Sequence, residues 1–179
     1  MPIRHAGQVV ARIGALAIAA LAILIVPAVE VRPIHAGGPA AAIIRLTTDP
    51  AIDVRPAWSP DNKLIAFQSN RNSSTFHIFF MNADGSNQRA LTSGTTDDRH
   101  PVWMPDGKSI IFDSDDGARE EIWMVNVSDG SLKQLTRQGL QANFAVPSPN
   151  GKRMAYYLYD NQTLDLWTAN IDGSVGVET

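Results

Sequence analysis

Three absences narrow the classes of protein to which this chain can belong. The 179 residues contain no cysteine, so an exported form has no disulfide framework and no lipid-bearing cysteine, and packing must stabilise it. The formal net charge is −3, which argues against a nucleic-acid-binding surface. There is no Gly-x-Ser-x-Gly nucleophile elbow, and His77 and His100 lie outside any catalytic motif. We therefore predict a non-enzymatic protein with no cofactor and no bound metal.

Charged residues are also missing from one long apolar stretch, Ile13 to Val29. Arg4 and Arg12 precede this stretch and small residues follow it, an order that is typical of a secretory signal. An uncleaved membrane anchor over the same residues is the alternative, although a spanning helix prefers roughly 20 residues. We interpret residues 1–36 as a signal peptide or membrane anchor and residues 37–42 as a linker. The expected location is periplasmic or extracellular.

Three copies of one pattern fill the chain from residue 43 onward. Leu-Thr pairs mark the copies at Leu46, Leu91 and Leu135, which are 45 and 44 residues apart. Each copy holds four short apolar runs, and a period of this length is the sequence signature of propeller blades. We predict an all-β fold, a β-propeller segment of three four-stranded blades that follows the N-terminal hydrophobic helix. The repeat region is residues 43–179, and the copies lie at about 45–89, 90–134 and 135–179.

Turn residues separate the first two strands of each copy. The tetrads are Ser59 to Asn62, Met104 to Gly107 and Ser148 to Gly151. Proline presets φ at the first central position, and the closing Asn or Gly tolerates a positive φ. The tetrads therefore predict tight hairpins.

At the start of the repeats, Ile43 to Thr47 matches the fourth, outermost strand of a blade.

Aromatic residues recur at equivalent positions of the copies. Trp58 and Trp103 occupy the same position, where the third copy has Pro147. The same residue in successive copies indicates packing between neighbouring blades rather than a ligand contact, so we predict that both indoles are mostly buried. The predicted blade-packing residues are Trp58, Phe67, Trp103, Phe112, Trp123, Tyr156 and Trp167.

The first copy carries a recognisable motif. It reads Pro56-Ala-Trp-Ser-Pro-Asp-Asn62, then Ile65-Ala-Phe67, Ile78-Phe-Phe-Met-Asn-Ala-Asp-Gly-Ser86 and Leu91-Thr92. This series resembles the WD40-like repeat of TolB-type propellers, and the third copy departs from it most. The resemblance implies an exported, non-catalytic protein-interaction module of the cell envelope, with envelope proteins or lipoproteins as partners.

Two other functions stay open. The same repeat occurs in propellers that precede prolyl-oligopeptidase-type hydrolases, so the chain could be the N-terminal part of a truncated exported peptidase. A carbohydrate-binding or small-ligand-binding propeller is the other alternative. In each case, loops held by rigid blades would carry the contacts. Arg55, Asp98, Arg99 and His100 are the residues that we expect at the rim of the central channel.

Three blades are fewer than the roughly four to eight with which propellers close. An open arc would leave apolar blade faces and strand edges in water. The chain is therefore either part of a larger propeller or one half of a homodimer. In the homodimer, two copies would complete a six-bladed ring about a two-fold axis.

Overall fold

The structure is a computed structural model that describes residues 42–137 and 139–174. All regular secondary structure in these ranges is β-strand. The predicted N-terminal helix and the apolar stretch at 13–29 lie outside the described residues. Within the described ranges, no helix is long and apolar enough to span a membrane.

The described residues form three antiparallel sheets with the strand orders β1-β2-β3-β4, β5-β6-β7-β8 and β11-β10-β9. We call these sheets blade 1, blade 2 and blade 3. The first strands of neighbouring blades contact one another, β1 with β5 and β5 with β9, so these edges lie on the inner side of the arc. The strands are β1 Asp53–Trp58, β2 Leu64–Ser69, β3 His77–Asn82, β4 Arg89–Ala90, β5 Asp97–Trp103, β6 Ser109–Asp115, β7 Glu120–Asn126, β8 Leu132–Gln134, β9 Gln141–Pro147, β10 Arg153–Tyr159 and β11 Leu164–Asn170.

The strand count departs from the prediction at both ends of the repeat region. Blade 3 has three strands among the described residues rather than the predicted four. Residues 43–47, predicted as an outermost strand, form no strand. An outermost strand needs the third strand of its own blade, as β4 pairs with β3. None of the eleven described strands pairs with residues 43–47.

The predicted hairpin turns are confirmed. The amides of Asn62, Gly107 and Gly151 each donate to the carbonyl three residues earlier, at 2.8–2.9 Å. Each of the three closing residues has a positive φ, between 59° and 68°. Glycine reaches this conformation without strain, and asparagine tolerates it better than most residues.

The Leu-Thr pairs close each complete blade after its fourth strand. The Leu91 amide donates to the Ile78 carbonyl at 2.7 Å, and the Thr92 hydroxyl accepts from the Ile78 amide at 2.9 Å. Thr136 accepts from the Ile122 amide in the same way. The repeated threonine therefore satisfies a buried backbone donor that the short fourth strand leaves unpaired.

The cores lie between successive blades because strand side chains alternate between the two faces of a sheet. Ala66 and Ile78 of blade 1 pack with Trp103, Ile110, Phe112 and Val125 of blade 2. Ile111 and Ile122, on the other face of blade 2, pack with Met154, Tyr156 and Leu158 of blade 3. On the opposite face of blade 1, Ile65, Phe67, Phe79 and Met81 form a third cluster, covered in part by Leu46.

The aromatic packing prediction succeeds inside the arc and fails at its ends. Trp103 is 6% exposed, and Phe67, Phe112 and Tyr156 are also buried. Trp123 is half-buried against the cluster between blades 1 and 2. The prediction that Trp58 is buried is wrong in the described structure, where it is 56% exposed, and Trp167 is also exposed. Trp58 faces away from blade 2, and Trp167 lies on the edge strand β11, so no strand of residues 42–137 and 139–174 covers either indole.

Candidate functional site at the inner-strand bulges

One backbone feature repeats in all three inner strands. Arg55, His100 and Phe144 have φ values of 57°, 52° and 55°. They are 45 and 44 residues apart, which is the spacing of the repeat. Each lies where the pairing with the second strand shifts register, that is, at a β-bulge. Bulges re-aim side chains and are common next to functional sites, and a left-handed non-glycine residue is strained. We call these three residues the bulge row.

A side chain of the preceding blade holds each inter-blade bulge in place. The His100 amide donates to Gln68 Oε1 at 3.0 Å. The Phe144 amide donates to both carboxylate oxygens of Asp113 at 3.1 Å. Gln68 and Asp113 occupy the same position of β2 and β6, one residue after Phe67 and Phe112. These bonds offset part of the cost of the left-handed backbone, which explains how the strain persists.

His100 and Asp113 form a buried pair at the second bulge. His100 Nδ1 lies 2.8 Å from Asp113 Oδ2, and Asp113 is 1% exposed. Burial raises the pKa of Asp113 above its ordinary value, although the hydrogen bonds from His100 and the Phe144 amide act in the opposite direction. The carboxylate therefore fixes the imidazole ring and the next bulge together.

An aromatic surface continues from this pair onto blade 3. The rings of His100 and Phe144 have centroids 4.1 Å apart, and Phe144 meets Tyr157 edge to face at 5.9 Å. Phe144 and Tyr157 are both about 40% exposed. Rigid, partly exposed aromatic rings are enriched at protein-binding surfaces, and Tyr157 adds a polar hydroxyl.

Two charged groups, Glu120 and Arg99, lie near the bulge of blade 2. Burial raises the pKa of Glu120, although Asn143 donates to its carboxylate at 2.8 Å and acts in the opposite direction. Arg99 is paired with Asp97, which raises the pKa of the Arg99 guanidinium. The partly buried glutamate therefore lies beside Asn143 of blade 3, whereas the Arg99 guanidinium lies over the Phe76 ring of blade 1 at 5.7 Å.

Asp98 does not belong to this surface, although it was predicted at the rim. It is 2% exposed, and its carboxylate accepts from Ser114 at 2.6 Å and from Thr96 at 3.0 Å. His77 Nδ1 of blade 1 lies 3.4 Å from it. Because side chains alternate along β5, the Asp98 side chain points into the junction between blades 1 and 2, where its contact with His77 links the two blades.

Thr75, His77 and Asp98 are ordered like a catalytic triad but do not have its geometry. Thr75 Oγ1 lies 3.5 Å from His77 Nε2, beyond the roughly 2.6–3.2 Å of an activated nucleophile. His77 is also buried. Within residues 42–137 and 139–174, no group of three or more His, Asp or Glu side chains is arranged to hold a metal ion.

The sequence analysis named Arg55, Arg99 and His100 as rim candidates, which stays a prediction, and it did not name Phe144, Asp113 or Tyr157. Phe144 could have been found by aligning the copies, because it stands where the others have Arg55 and His100. Asp113 could have been noticed because its carboxylate directly follows the apolar run Ile110 to Phe112.

Comparison with known proteins identifies the family. A family model described as the TolB beta propeller domain matches residues 72–176, more than half of the chain. The chain belongs to this family. The Tol-Pal system protein TolB of Anaeromyxobacter dehalogenans is 37% identical over 104 residues, which are 58% of this chain and 24% of that protein.

Solved structures share the fold. A putative TolB from Agrobacterium tumefaciens superimposes with a TM-score of 0.64 at 27% identity, covering 73% of this chain and 49% of that one. The puromycin hydrolase S511A mutant superimposes with a TM-score of 0.62 over 73% of this chain and 22% of that one. At 18% identity, this second likeness shows the fold alone. The chain thus spans about half or less of the TolB proteins it matches.

Proposed function

We propose that the chain is an exported, non-catalytic β-propeller module that binds other proteins in the cell envelope. The bulge row and its aromatic neighbours form the contact surface. The expected location is periplasmic or extracellular, with residues 13–29 as a membrane anchor if the signal is not cleaved. The partners are envelope proteins or lipoproteins. Membership of the TolB propeller family supports this class of function.

The observation that carries the proposal is the repeated strain at Arg55, His100 and Phe144. Three left-handed non-glycine residues at one repeat position, two of them held by a side chain of the neighbouring blade, are more than a sheet requires. Their side chains differ in chemistry, whereas their backbones share the same left-handed conformation. This combination suits a scaffold that presents a variable contact surface.

The site also favours binding over catalysis. Among the described residues, no hydroxyl group is hydrogen-bonded to His100, whose Nδ1 is held by Asp113. A nucleophile needs an adjacent base within hydrogen-bonding reach. The buried His77 lacks that geometry as well.

Site-specific crosslinking in the native host tests the proposal. A photo-reactive residue in place of Phe144 should form a discrete adduct with an envelope protein. The matched control is the same residue in place of Leu132, which is also exposed but lies on the outer strand β8. Equal adducts at both positions, no adduct at Phe144, or an adduct that contains only copies of this chain would contradict the proposal.

A second candidate is the propeller part of a longer exported peptidase of the prolyl-oligopeptidase type. The structural likeness to puromycin hydrolase favours it, because that enzyme contains a similar fold in 22% of its chain. Sequencing the DNA downstream of the gene distinguishes the candidates. A continuing reading frame with a Gly-x-Ser-x-Gly elbow would favour the peptidase.

A further inference from the structure

The junction between blades 1 and 2 shows how a tryptophan docks on a neighbouring blade. Trp103 packs in one cluster with Ala66 and Ala57 of blade 1. Its Nε1 donates to the Ala57 carbonyl at 3.0 Å. The two alanines lie opposite each other on paired strands. Small side chains at both positions leave space for the indole, and the carbonyl satisfies its only donor.

The junction between blades 2 and 3 has the opposite arrangement of sizes. Pro147 stands at the tryptophan position of blade 3, and the facing positions of blade 2 carry Val102 and Ile111 instead of the two alanines. Ile111 fills this junction together with Met154 and Tyr156. Within this chain, a small facing residue therefore accompanies tryptophan and a large facing residue accompanies proline.

The free face of blade 3 has the small residue of the tryptophan arrangement at one of its two facing positions, and the other position carries valine, as in the junction between blades 2 and 3. Ala155 stands at the position of Ala66 and pairs with Val146, which stands at the position of Ala57. Val146, Ala155, Tyr157 and Leu166 are all exposed on this face. At the other end of the arc, Trp58 is exposed and pairs with Ile65 as Trp103 pairs with Ile110. One end face thus exposes an alanine at the position that faces the indole in the first junction, and the other end face exposes an indole.

We propose that a second copy of this chain docks there, with Trp58 of one copy on Ala155 of the other. The Trp58 indole would donate to the Val146 carbonyl, as Trp103 donates to Ala57. Two such junctions, related by a two-fold axis, would close two three-bladed arcs into a six-bladed ring. The junction is continuous with the packing inside the arc, because the same repeat positions meet.

Two further observations favour a second copy as the occupant. In the ring, Arg55 of one copy would follow Phe144 of the other around the channel, beside Tyr157, and guanidinium groups stack well on aromatic rings. The arc also covers 49% of the Agrobacterium TolB structure, so two arcs amount to about one such chain. This inference does not depend on export or on any envelope partner.

Sedimentation equilibrium on the purified chain tests the junction. The wild type should sediment as a dimer. Trp58→Ala, which alters one end face, and Ala155→Arg, which alters the other, should each raise the dissociation constant by at least about tenfold. Leu132→Ala is the control, because this exposed leucine lies on neither end face, and it should leave the dimer unchanged. Circular dichroism checks that every variant folds.

A mixing experiment distinguishes this head-to-tail junction from other dimers. A mixed pair of Trp58→Ala and Ala155→Arg chains contains one junction with both faces intact, so the mixture should dimerise more tightly than either variant alone. A dimer formed by like faces would respond to only one of the two substitutions. A dimer weakened by only one of the two substitutions would overturn the proposal. So would a wild-type chain that stays monomeric or aggregates, and so would a dimer that neither substitution weakens.

Discussion

Trp58 and Trp103 occupy the same repeat position, yet they should contribute very differently to stability. Burial of an indole removes about 150–250 Å² from water, which corresponds to about 4–6 kcal/mol at roughly 25 cal/mol per Å². Large-to-small replacements in cores cost about 3–5 kcal/mol. Trp103 is 6% exposed and holds the Ala57 carbonyl. We therefore expect Trp103→Ala to lower the free energy of unfolding by about 3–5 kcal/mol.

Trp58→Ala should lower the free energy of unfolding of the single chain by less than about 1 kcal/mol, because Trp58 is more than half exposed. Both substitutions are made in an Ala155→Arg background so that association cannot contribute. Urea unfolding followed by circular dichroism gives the two values, and Trp103→Phe reports the indole hydrogen bond separately. Equal losses for the two tryptophans would refute the assignment of Trp103 to a blade junction and Trp58 to a free face.

Three further predictions concern export and the buried carboxylate. Mass spectrometry of the protein from its native host should find about the first 28 to 36 residues missing, or the protein in the membrane fraction; intact soluble chain in the cytoplasm would contradict export. Asp113→Asn should change the free energy of unfolding by less than about 1 kcal/mol, because the side-chain amide oxygen can accept the hydrogen bond from the Phe144 amide, as Gln68 accepts that of His100. Asp113→Leu removes the acceptor and should lower the free energy of unfolding by about 1–3 kcal/mol. Equal losses for the two variants would refute the role of Asp113 as the acceptor. Burial raises the pKa of Asp113 above its ordinary value of 3.8. The free energy of unfolding of the wild type, relative to that of Asp113→Asn, should therefore be greatest below pH 3.8 and should fall as the pH rises through the raised pKa. Urea titrations at several pH values measure this difference.

The repeat and its turn chemistry were predictable because they depend on local sequence. Pro-Asp-Gly tetrads set hairpins, and apolar runs set strands, wherever they occur. The burial of each tryptophan was not predictable in this way. Trp58 and Trp103 have the same local sequence context, and only the presence of a preceding blade separates them. Equivalence between copies predicts the conformation of a strand but not what covers it.

The candidate site was predictable only in part, for a related reason. His100 was predicted at the rim because it stands before Pro101 at the start of an inner strand. The acceptors that hold the bulge amides of His100 and Phe144, Gln68 and Asp113, belong to the preceding blade, so the local sequence of the inner strand does not reveal them. Asp98 shows the converse error. It was predicted at the rim together with its neighbours Arg99 and His100, whereas strand alternation buries it against His77.

The hydrogen bonds from Gln68 and Asp113 to the following blade determine how these repeats can be exchanged. If a blade is excised at the Leu-Thr pairs that bound it, the acceptor that holds its inner-strand bulge stays behind in the preceding blade. A transplanted copy would then lack the side-chain acceptor that holds the bulge amide in blades 2 and 3. The exchangeable unit instead begins in the second strand of one blade and ends after the bulge of the next. Chimeras built with that offset should keep the contact residue oriented, and duplications of whole blades should preserve it only when the acceptor is duplicated as well.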